Sequence, residues 1–321
     1  MNFINNSKIN FVKQKTLKKK ILFLGVGLHT GKAVSMSIEP SEPNTGIVFE
    51  RTDLYENNMI EAIIDNVDET CLCTKITNKH GVSVSTIEHL MAAFHGLEID
   101  NVKVKINSNE LPALDGSSYV YVKKIIDSGV KVQSVNKYRI KILKKVKFCI
   151  NDRYISAEPS NELSLNINID YPNTIIGNSQ FTYNHSQSNF LSQLSEARTF
   201  TLLEDVEKMR LNGYAMGGSI NNAIVVDKYK IINSDGLRFE KEFVKHKALD
   251  CIGDFYLLGM PLIGTISTFA PGHKINQMFV KEILSNKENY SIEDLEIKYS
   301  HDEYINVLNF NNLSQKEINV A

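Results

Sequence analysis

Three side chains in the segment FVKHKALDCIGDF (243–255) have the types and spacing of metal ligands. His246, Asp250 and Asp254 follow one another at intervals of four residues. A step of four residues turns an α-helix by only about 40°, so these side chains would share one ridge. A neutral imidazole and a carboxylate one turn apart can bind a divalent metal, but a catalytic zinc ion normally takes three protein ligands. The segment therefore predicts part of a metal site and requires a further ligand.

The segment STIEHLMAAFHG (85–96) offers that ligand. Glu88 and His89 are adjacent at the start of a predicted helix. A metal-binding histidine beside a glutamate that can take a proton from water is typical of hydrolytic zinc chemistry. Ser85 and Glu88 also fit a helix capping box, which would give the glutamate a purely structural role. With the histidine and first aspartate of 243–255, His89 completes the donor set of a catalytic zinc site.

A third histidine, His273 in APGHKINQ (270–277), precedes the last predicted helix. Histidines in loops are most often surface residues, yet an imidazolium here could protonate the leaving amine of a hydrolysed amide. Asp254 could hold such a histidine charged and oriented, as carboxylates behind metal sites do. Spacing alone equally allows Asp254 to be a solvated helix carboxylate.

Composition and motif spacing argue against several other classes. The formal net charge of the 321 residues is −1, so no overall field attracts nucleic acid or an anionic membrane. The basic run at 13–20 fits a solvated strand edge, and GVGLHTGK (25–32) has neither Walker A nor dinucleotide-binding spacing. The four cysteines lack C-x-x-C spacing and are expected to be reduced thiols of a cytoplasmic protein. The longest apolar stretch, 255–270, is too short for a transmembrane segment.

The remaining patterns place these residues on an α+β framework. Alternating or buried apolar patterns predict strands over 33–40, 101–107, 163–169, 222–229 and 262–269. Helical periodicity predicts helices over 86–96, 117–127, 240–258 and 274–285. The order helix, strand, helix occurs twice, each time after strand-rich sequence. This repetition predicts two α+β halves of similar plan, joined near 130–138.

Eight blocks, spread from about residue 11 to 288, are similar to those of one enzyme family. They are GVGLHTGK (25–32), NTGIVFERTD (44–53), STIEHLMAAFHGLEIDN (85–101), ELPALDGSS (110–118), EARTFTLLEDVE (196–207), GGSINNAIVVD (217–227), DGLRFEKEFVKHKALDCIGD (235–254) and GHKIN (272–276). In this order they resemble the UDP-3-O-acyl-N-acetylglucosamine deacetylases, the zinc amidases of lipid A biosynthesis.

The resemblance implies the reaction and the central roles. The family removes acetate from the 2-amino group of UDP-3-O-acyl-N-acetylglucosamine. His89, His246 and Asp250 would bind one Zn²⁺, and Fe²⁺ suits the same ligands. Glu88 would be the general base, and His273 would be the charged partner that protonates the leaving amine.

It also implies the residues around the substrate. Asp254 would support the charged histidine, Thr199 would hydrogen-bond the oxyanion, and Lys247 would lie toward the diphosphate. His29 would contribute to the sugar pocket, and the segment at about 198–227 would form an apolar passage for the 3-O-acyl chain. The substrate-binding residues expected there are Phe200, Leu203, Val206, Met209, Ala215 and Met216. Ordinary core packing is the alternative role for these apolar residues.

The family fold is two similar α+β domains, each a sheet layered with helices, packed face to face around the zinc. The divisions expected for this chain are an extension over 1–10, domains over 11–133 and 134–290, and a peripheral tail over 291–321. The resemblance further implies a cytoplasmic monomer of a Gram-negative type of bacterium. Its partner would be the small-molecule substrate, with no nucleic acid and no transmembrane segment.

Two other functions fit parts of the pattern. A non-catalytic nucleotide-sugar-binding homologue could keep the fold without turnover, but such a protein has no use for a general base beside a metal. A zinc hydrolase could act on another acylated sugar. UDP-sugars without an acyl chain should be poor substrates if 198–227 does form an acyl passage.

Overall fold

Two mixed β-sheets and the helices that cover them dominate residues 10–68 and 72–297, the part of the chain that the computed structural model describes. The strands are β1 (Asn10–Phe11), β2 (Lys13–Leu17), β3 (Ile21–Val26), β4 (Ala33–Pro40), β5 (Ile47–Arg51), β6 (Met59–Glu61), β7 (Lys75–Thr77), β8 (Ser83–Ser85), β9 (Val102–Ile106), β10 (Val130–Asn136), β11 (Tyr138–Ile142), β12 (Val146–Ile150), β13 (Arg153–Glu158), β14 (Leu163–Tyr171), β15 (Gly177–Asn184), β16 (Phe200–Leu202), β17 (Ile224–Asp227), β18 (Lys230–Ile231), β19 (Leu262–Phe269), β20 (Tyr290–Asp294) and β21 (Glu296–Ile297). The helices are α1 (Glu88–Gly96), α2 (Tyr119–Ser128), α3 (Gln187–Asn189), α4 (Leu203–Leu211), α5 (Glu242–Phe255) and α6 (His273–Leu284). The predicted α+β class is confirmed.

The first sheet has the strand order β3-β4-β9-β5-β6. Its central strands β5 and β9 are parallel, and every other neighbouring pair is antiparallel. Helix α1 lies between β5 and β9 in the chain and makes the crossover that a parallel pair requires. The alternating residues of β9 behave as predicted, because Val102, Val104 and Ile106 are buried while the two lysines between them are half-buried.

The second sheet repeats this arrangement. Strand β13 pairs antiparallel with β12 and with β19, β19 pairs parallel with β14, and β14 pairs antiparallel with β15. Helix α5 lies between the parallel strands β14 and β19, as α1 does between β5 and β9. At the start of β19 the sheet continues through β11 to β20. The order of strand directions is therefore the same in both sheets.

Two of the expected domain boundaries fall inside strands. The boundary at 133 interrupts β10, which pairs with β2 near the N-terminus. The tail expected from 291 begins inside β20, which pairs with β11 along its whole length. β20 is the edge strand of its sheet, and its residues are partly exposed to solvent. Its sequence is therefore polar and did not indicate a strand. The expected extension, apart from Asn10, and the tail from 298 onward lie outside the described residues. Within the described ranges, none of the helices is long and apolar enough to cross a membrane.

Helices α1 and α5 cross at backbone contact distance. Every residue of α1 is buried, from Glu88 to Gly96. At the crossing, a Cβ added to Gly253 of α5 would lie only 2.0 Å from the Glu88 carbonyl oxygen. A glycine is required there because any side chain would push the helices apart. This close approach brings the start of α1 beside the ridge of α5 that carries the spaced histidine and aspartates.

Candidate metal centre and active site

The three predicted metal ligands meet where α1 and α5 cross. His89 comes from the first turn of α1, and His246 and Asp250 come from successive turns of α5. Their potential ligand atoms all lie within 4.8 Å of one another. Asp250 Oδ1 is 3.3 Å from His246 Nε2 and 3.6 Å from His89 Nε2. Ligand atoms about 2.0–2.2 Å from a tetrahedral zinc lie at roughly such separations from each other.

The donor set suits a divalent cation. Asp250 Oδ1 is buried and has no hydrogen-bond partner, whereas Oδ2 accepts a bond of 2.9 Å from Lys247 Nζ. Burial lowers the pKa of His246 to about 3, so its ring is neutral. The Ala197 carbonyl, 3.0 Å away, can only accept, so Nδ1 carries the proton and Nε2 presents its lone pair to Asp250. A metal ion between these atoms would pair the free oxygen, although the ligand roles themselves stay a prediction.

Glu88 lies beside this centre and does not cap its helix. The alternative role in a capping box is wrong, because Ser85 Oγ donates to the Asn109 carbonyl at 3.1 Å and no side chain caps α1. Instead, Glu88 Oε2 accepts a bond of 3.0 Å from the Thr74 backbone N–H. Its other oxygen, Oε1, is 3.8 Å from His273 Nε2. Burial raises the pKa of Glu88, which makes its carboxylate a stronger base than an exposed one.

His273 is held by Asp254. His273 Nδ1 lies 2.9 Å from Asp254 Oδ2, which also accepts a bond of 2.7 Å from Asn276 Nδ2. The other carboxylate oxygen accepts a bond of 2.5 Å from Thr74 Oγ1. Burial alone would lower the pKa of His273, but the carboxylates of Asp254 and Glu88 outweigh it and raise the pKa to about 10. Asp254 is thus a buried partner of a charged histidine and not a solvated helix carboxylate.

One cavity of about 400 Å³ brings most of the predicted site residues together. Its lining includes His29, Glu88, His89, Thr199, Phe200, His246, Lys247, Asp250 and His273. Asp254 stays behind His273 and does not line the cavity. Arg153 and Lys274 line it as well, and no motif singled them out.

A second cavity, about 340 Å³ in volume, continues from the first and is mainly apolar. The two share Leu28, His29, Leu72, Thr199 and Phe200. Beyond this shared wall the second cavity is lined by the predicted residues Leu203, Val206, Met209 and Ala215. Met216 does not join them. Its backbone N–H donates to the His29 carbonyl at 3.1 Å, and 58% of the residue is exposed.

A residue that the sequence analysis missed fixes the shared wall. Glu110 is fully buried and accepts bonds from the His29 N–H at 2.7 Å, the Thr30 N–H at 2.8 Å and the Thr30 hydroxyl at 2.6 Å. These bonds hold the turn that carries His29. The only signal in the sequence was an acidic residue without an assigned role in the block ELPALDGSS.

Comparison with known proteins identifies the family. The model of the family described as LpxC, UDP-3-O-acyl N-acetylglycosamine deacetylase, matches residues 14–285. The UDP-3-O-acyl-N-acetylglucosamine deacetylase of Haemophilus influenzae (strain PittEE) is 39% identical over 289 residues, which cover 89% of this chain and 95% of the relative. The proteins of the same name from Wigglesworthia glossinidia brevipalpis and Campylobacter hominis are 39% and 38% identical, and the matches cover 90% and 91% of this chain and 98% of each relative. The chain therefore belongs to the LpxC family of UDP-3-O-acyl N-acetylglycosamine deacetylases.

Proposed function

We propose that this chain hydrolyses the 2-N-acetyl group of UDP-3-O-acyl-N-acetylglucosamine and releases acetate and the free amine, a step of lipid A biosynthesis. One observation carries the proposal. The unpaired Oδ1 of Asp250 faces two imidazole nitrogens, in a cavity where a buried carboxylate and a charged histidine stand side by side. Such a set can hold a metal, activate water and protonate an amine, the three tasks of amide hydrolysis.

His89, His246 and Asp250 would hold one Zn²⁺, and the same donors suit Fe²⁺. Bound there, the ion would lower the pKa of a water molecule and polarise the amide carbonyl. The Ala197 carbonyl keeps His246 in the tautomer that a ligand needs.

Glu88 would take the proton from the attacking water. The Thr74 N–H holds Oε2, so Oε1 is the oxygen free to act, on the side of His273. The raised pKa of Glu88 moves the carboxylate nearer to the working pH, where a general base is most effective. Burial causes both the raised pKa and the greater basicity of Glu88, because it keeps the carboxylate out of bulk water.

His273 would stabilise the developing negative charge and then protonate the leaving amine. Asp254 occupies Nδ1, which leaves the Nε2–H for the substrate. Thr199 would donate a hydrogen bond to the oxyanion, a contribution of about 3 kcal/mol for a well-placed donor. Its backbone is fixed by a bond of 2.8 Å from its N–H to the Gly116 carbonyl.

The second cavity would bind the 3-O-acyl chain. Its apolar lining continues directly from the wall it shares with the metal-site cavity, so a chain attached next to the reacting amide can enter it. Each buried methylene would contribute about 0.8 kcal/mol. Lys247 would attract the diphosphate, and His29, in the shared wall, would contact the sugar.

The proposal includes the organisation of the chain. Two α+β domains, close to 11–133 and 134–290, would pack with the metal between them. The repeated strand order of the two sheets and the supply of ligands from both α1 and α5 support this division. A cytoplasmic monomer goes with it, and the free thiols of Cys73 and Cys251 suit a reducing compartment.

Acetate release from UDP-3-O-acyl-N-acetylglucosamine, measured before and after chelation and again with stoichiometric zinc added back, tests the proposal. We expect chelation to abolish release and zinc to restore it. UDP-N-acetylglucosamine, which lacks the acyl chain, should be a poor substrate in the same assay. A folded, zinc-loaded protein that releases no acetate would instead be a non-catalytic nucleotide-sugar-binding protein.

A further inference from the structure

A buried ion pair stands behind the metal centre and has no part in the proposed chemistry. Arg198 is 4% exposed and Glu242 is 0% exposed. Glu242 Oε1 lies 2.8 Å from Arg198 Nε, and Glu242 Oε2 lies 3.1 Å from Arg198 Nη2. The two side chains therefore meet as a bidentate fork, the strongest and most directional form of such a pair.

The Glu242 carboxylate also holds the backbone on both sides of this fork. Oε1 accepts a bond of 3.1 Å from the Arg198 N–H, and Oε2 accepts one of 2.7 Å from the Arg238 N–H. On its far side, Arg198 donates to Asp235 Oδ2 at 2.9 Å and to the Gly236 carbonyl at 2.8 Å. The Asp235 side chain is 64% exposed, so the buried part of this network is the fork between Arg198 and Glu242. Because these bonds hold both the side chain and the backbone N–H of Arg198, they fix the position of the segment around it.

That segment carries two groups of the site. Ala197 precedes Arg198 and supplies the carbonyl that accepts the Nδ1 proton of His246 at 3.0 Å. Thr199 follows Arg198 and lines the cavity. Glu242 lies in the first turn of α5, one turn before His246 on the same helix. The ion pair therefore joins the carbonyl to the helix that carries the imidazole bound to it.

The same segment also reaches the ligand on α1. The Thr199 N–H donates to the Gly116 carbonyl at 2.8 Å, in the loop 115–118. Ser118, in that loop, donates from its hydroxyl to the His89 carbonyl at 2.6 Å. A shift of the segment would thus disturb both histidines, but His246 most directly.

We infer that Glu242, acting through Arg198, is a positioning residue of the metal centre. It holds the Ala197 carbonyl where His246 Nδ1 must donate, and thereby fixes the direction of the Nε2 lone pair. The inference rests on the proposed role of His246 as a metal ligand. Partners that orient ligating histidines typically change metal affinity by about 10- to 100-fold when they are lost.

Glu242→Gln tests this without a change of shape. The substitution removes the charge and turns one acceptor into an NH₂ donor, which then faces N–H groups. We expect the dissociation constant for Zn²⁺, measured by chelator competition without substrate, to rise about 10- to 100-fold. The visible spectrum of the Co²⁺-loaded protein should change as well, at a temperature where circular dichroism shows the variant folded. Wild-type zinc affinity and an unchanged cobalt spectrum in the folded variant would overturn the inference.

Asp100→Asn is the matched control for a plain loss of stability. Asp100 forms another buried ion pair, with Lys137 Nζ at 2.7 Å, and their side chains are 13% and 3% exposed. This variant should unfold at a lower temperature but keep the zinc affinity of the wild type. An equal loss of zinc affinity in both variants would reduce the role of Glu242 to general stability and also overturn the inference.

Arg198→Lys keeps the test decisive if the Glu242 variant does not fold. A lysine retains the charge and can keep one bond to Glu242, but it loses the fork. We expect a rise in the zinc dissociation constant of up to about tenfold, and wild-type affinity in a folded protein would overturn the inference. Zinc binding is measured without turnover. A protein that binds zinc but releases no acetate would therefore contradict the proposed function and leave the inference about Glu242 intact.

Discussion

Helix α1 carries two buried histidines, and each meets a histidine from the second half of the chain. Near its start, the ring centres of His89 and His246 are 5.0 Å apart; near its end, those of His95 and His185 are 4.5 Å apart. The first pair faces the Asp250 carboxylate and a cavity. The second pair lies among aromatic groups, with the Tyr183 hydroxyl 2.9 Å from His185 Nδ1 and the Tyr256 ring against His95.

The difference shows which feature distinguishes the proposed metal centre from an ordinary packed histidine pair. Close packing of two imidazoles is common to both pairs, and even a buried imidazole nitrogen without a partner occurs at His95 Nδ1. Only the first pair adds a carboxylate oxygen that is buried and unpaired. Burying an unpaired neutral nitrogen costs much less free energy than burying an unpaired carboxylate oxygen, which is stabilised when a cation pairs with it.

The largest expected effect separates the two pairs directly. His246→Ala should lower zinc affinity by more than the roughly 100-fold loss that follows removal of a residue that only orients a ligand, because it removes a proposed ligand itself. His185→Ala should leave zinc content unchanged. Metal analysis after dialysis against a weak chelator checks both variants. Equal zinc loss in the His246→Ala and His185→Ala variants would contradict the assignment of the metal centre to the first histidine pair.

Glu88→Gln should be the next largest effect. It removes the proposed base but none of the ligands, so zinc content should stay at the wild-type level. We expect kcat for acetate release to fall about 10²- to 10⁴-fold, the usual contribution of a general base. Turnover near that of the wild type would rule out Glu88 in this role.

The two regions should respond to pH with opposite signs. His273 has a pKa raised to about 10, against about 6.5 when unfolded, so in the metal-free protein it adds stability that is complete below pH 6.5. That stability, on the order of 5 kcal/mol, is lost as the pH rises from 6.5 toward 10. Thermal unfolding of metal-free His273→Gln should therefore depend less on pH between 7 and 10 than that of the wild type. Parallel curves for the two proteins would contradict the charged state of His273.

The second histidine pair, His95 and His185, should make the folded protein less stable in acid. Burial lowers the pKa of His185 to about 4, so the unfolded chain binds a proton that the folded protein refuses. Stability should fall by on the order of 3 kcal/mol as the pH drops from 6.5 to 4. In His185→Gln, which keeps a partner for the Tyr183 hydroxyl, the unfolding temperature should fall less steeply over this range. An unchanged slope would place the acid sensitivity elsewhere.

Sequence reasoning succeeded where the signal was local. The spacing of His246, Asp250 and Asp254 on one helix needs only the helical repeat, and the strand predicted over 262–269 has the bounds of β19. The α+β class follows from the same periodicities.

It failed where partners are distant in the chain. The sequence left a capping role open for Glu88, because the Thr74 N–H that binds its carboxylate is 14 residues away in the chain. The partners of Glu110 and the fork between Arg198 and Glu242 have no spacing that a repeat could show. Met216 shared the apolar character of the passage, but 58% of the residue is exposed and it does not line the second cavity.

Because α1 and α5 each supply residues at their crossing, the proposed metal centre depends on the correct docking of the two helices. His89 belongs to α1, and the other two proposed ligands, His246 and Asp250, belong to α5, so the full donor set forms only when the helices have docked. Gly253 permits that docking, since any larger residue would strike the Glu88 carbonyl. A chain in which α5 has formed alone offers only two members of the proposed donor set, His246 and Asp250, too few for a catalytic zinc site. If the three residues bind zinc as proposed, the zinc content of a preparation would report the fraction of correctly assembled molecules.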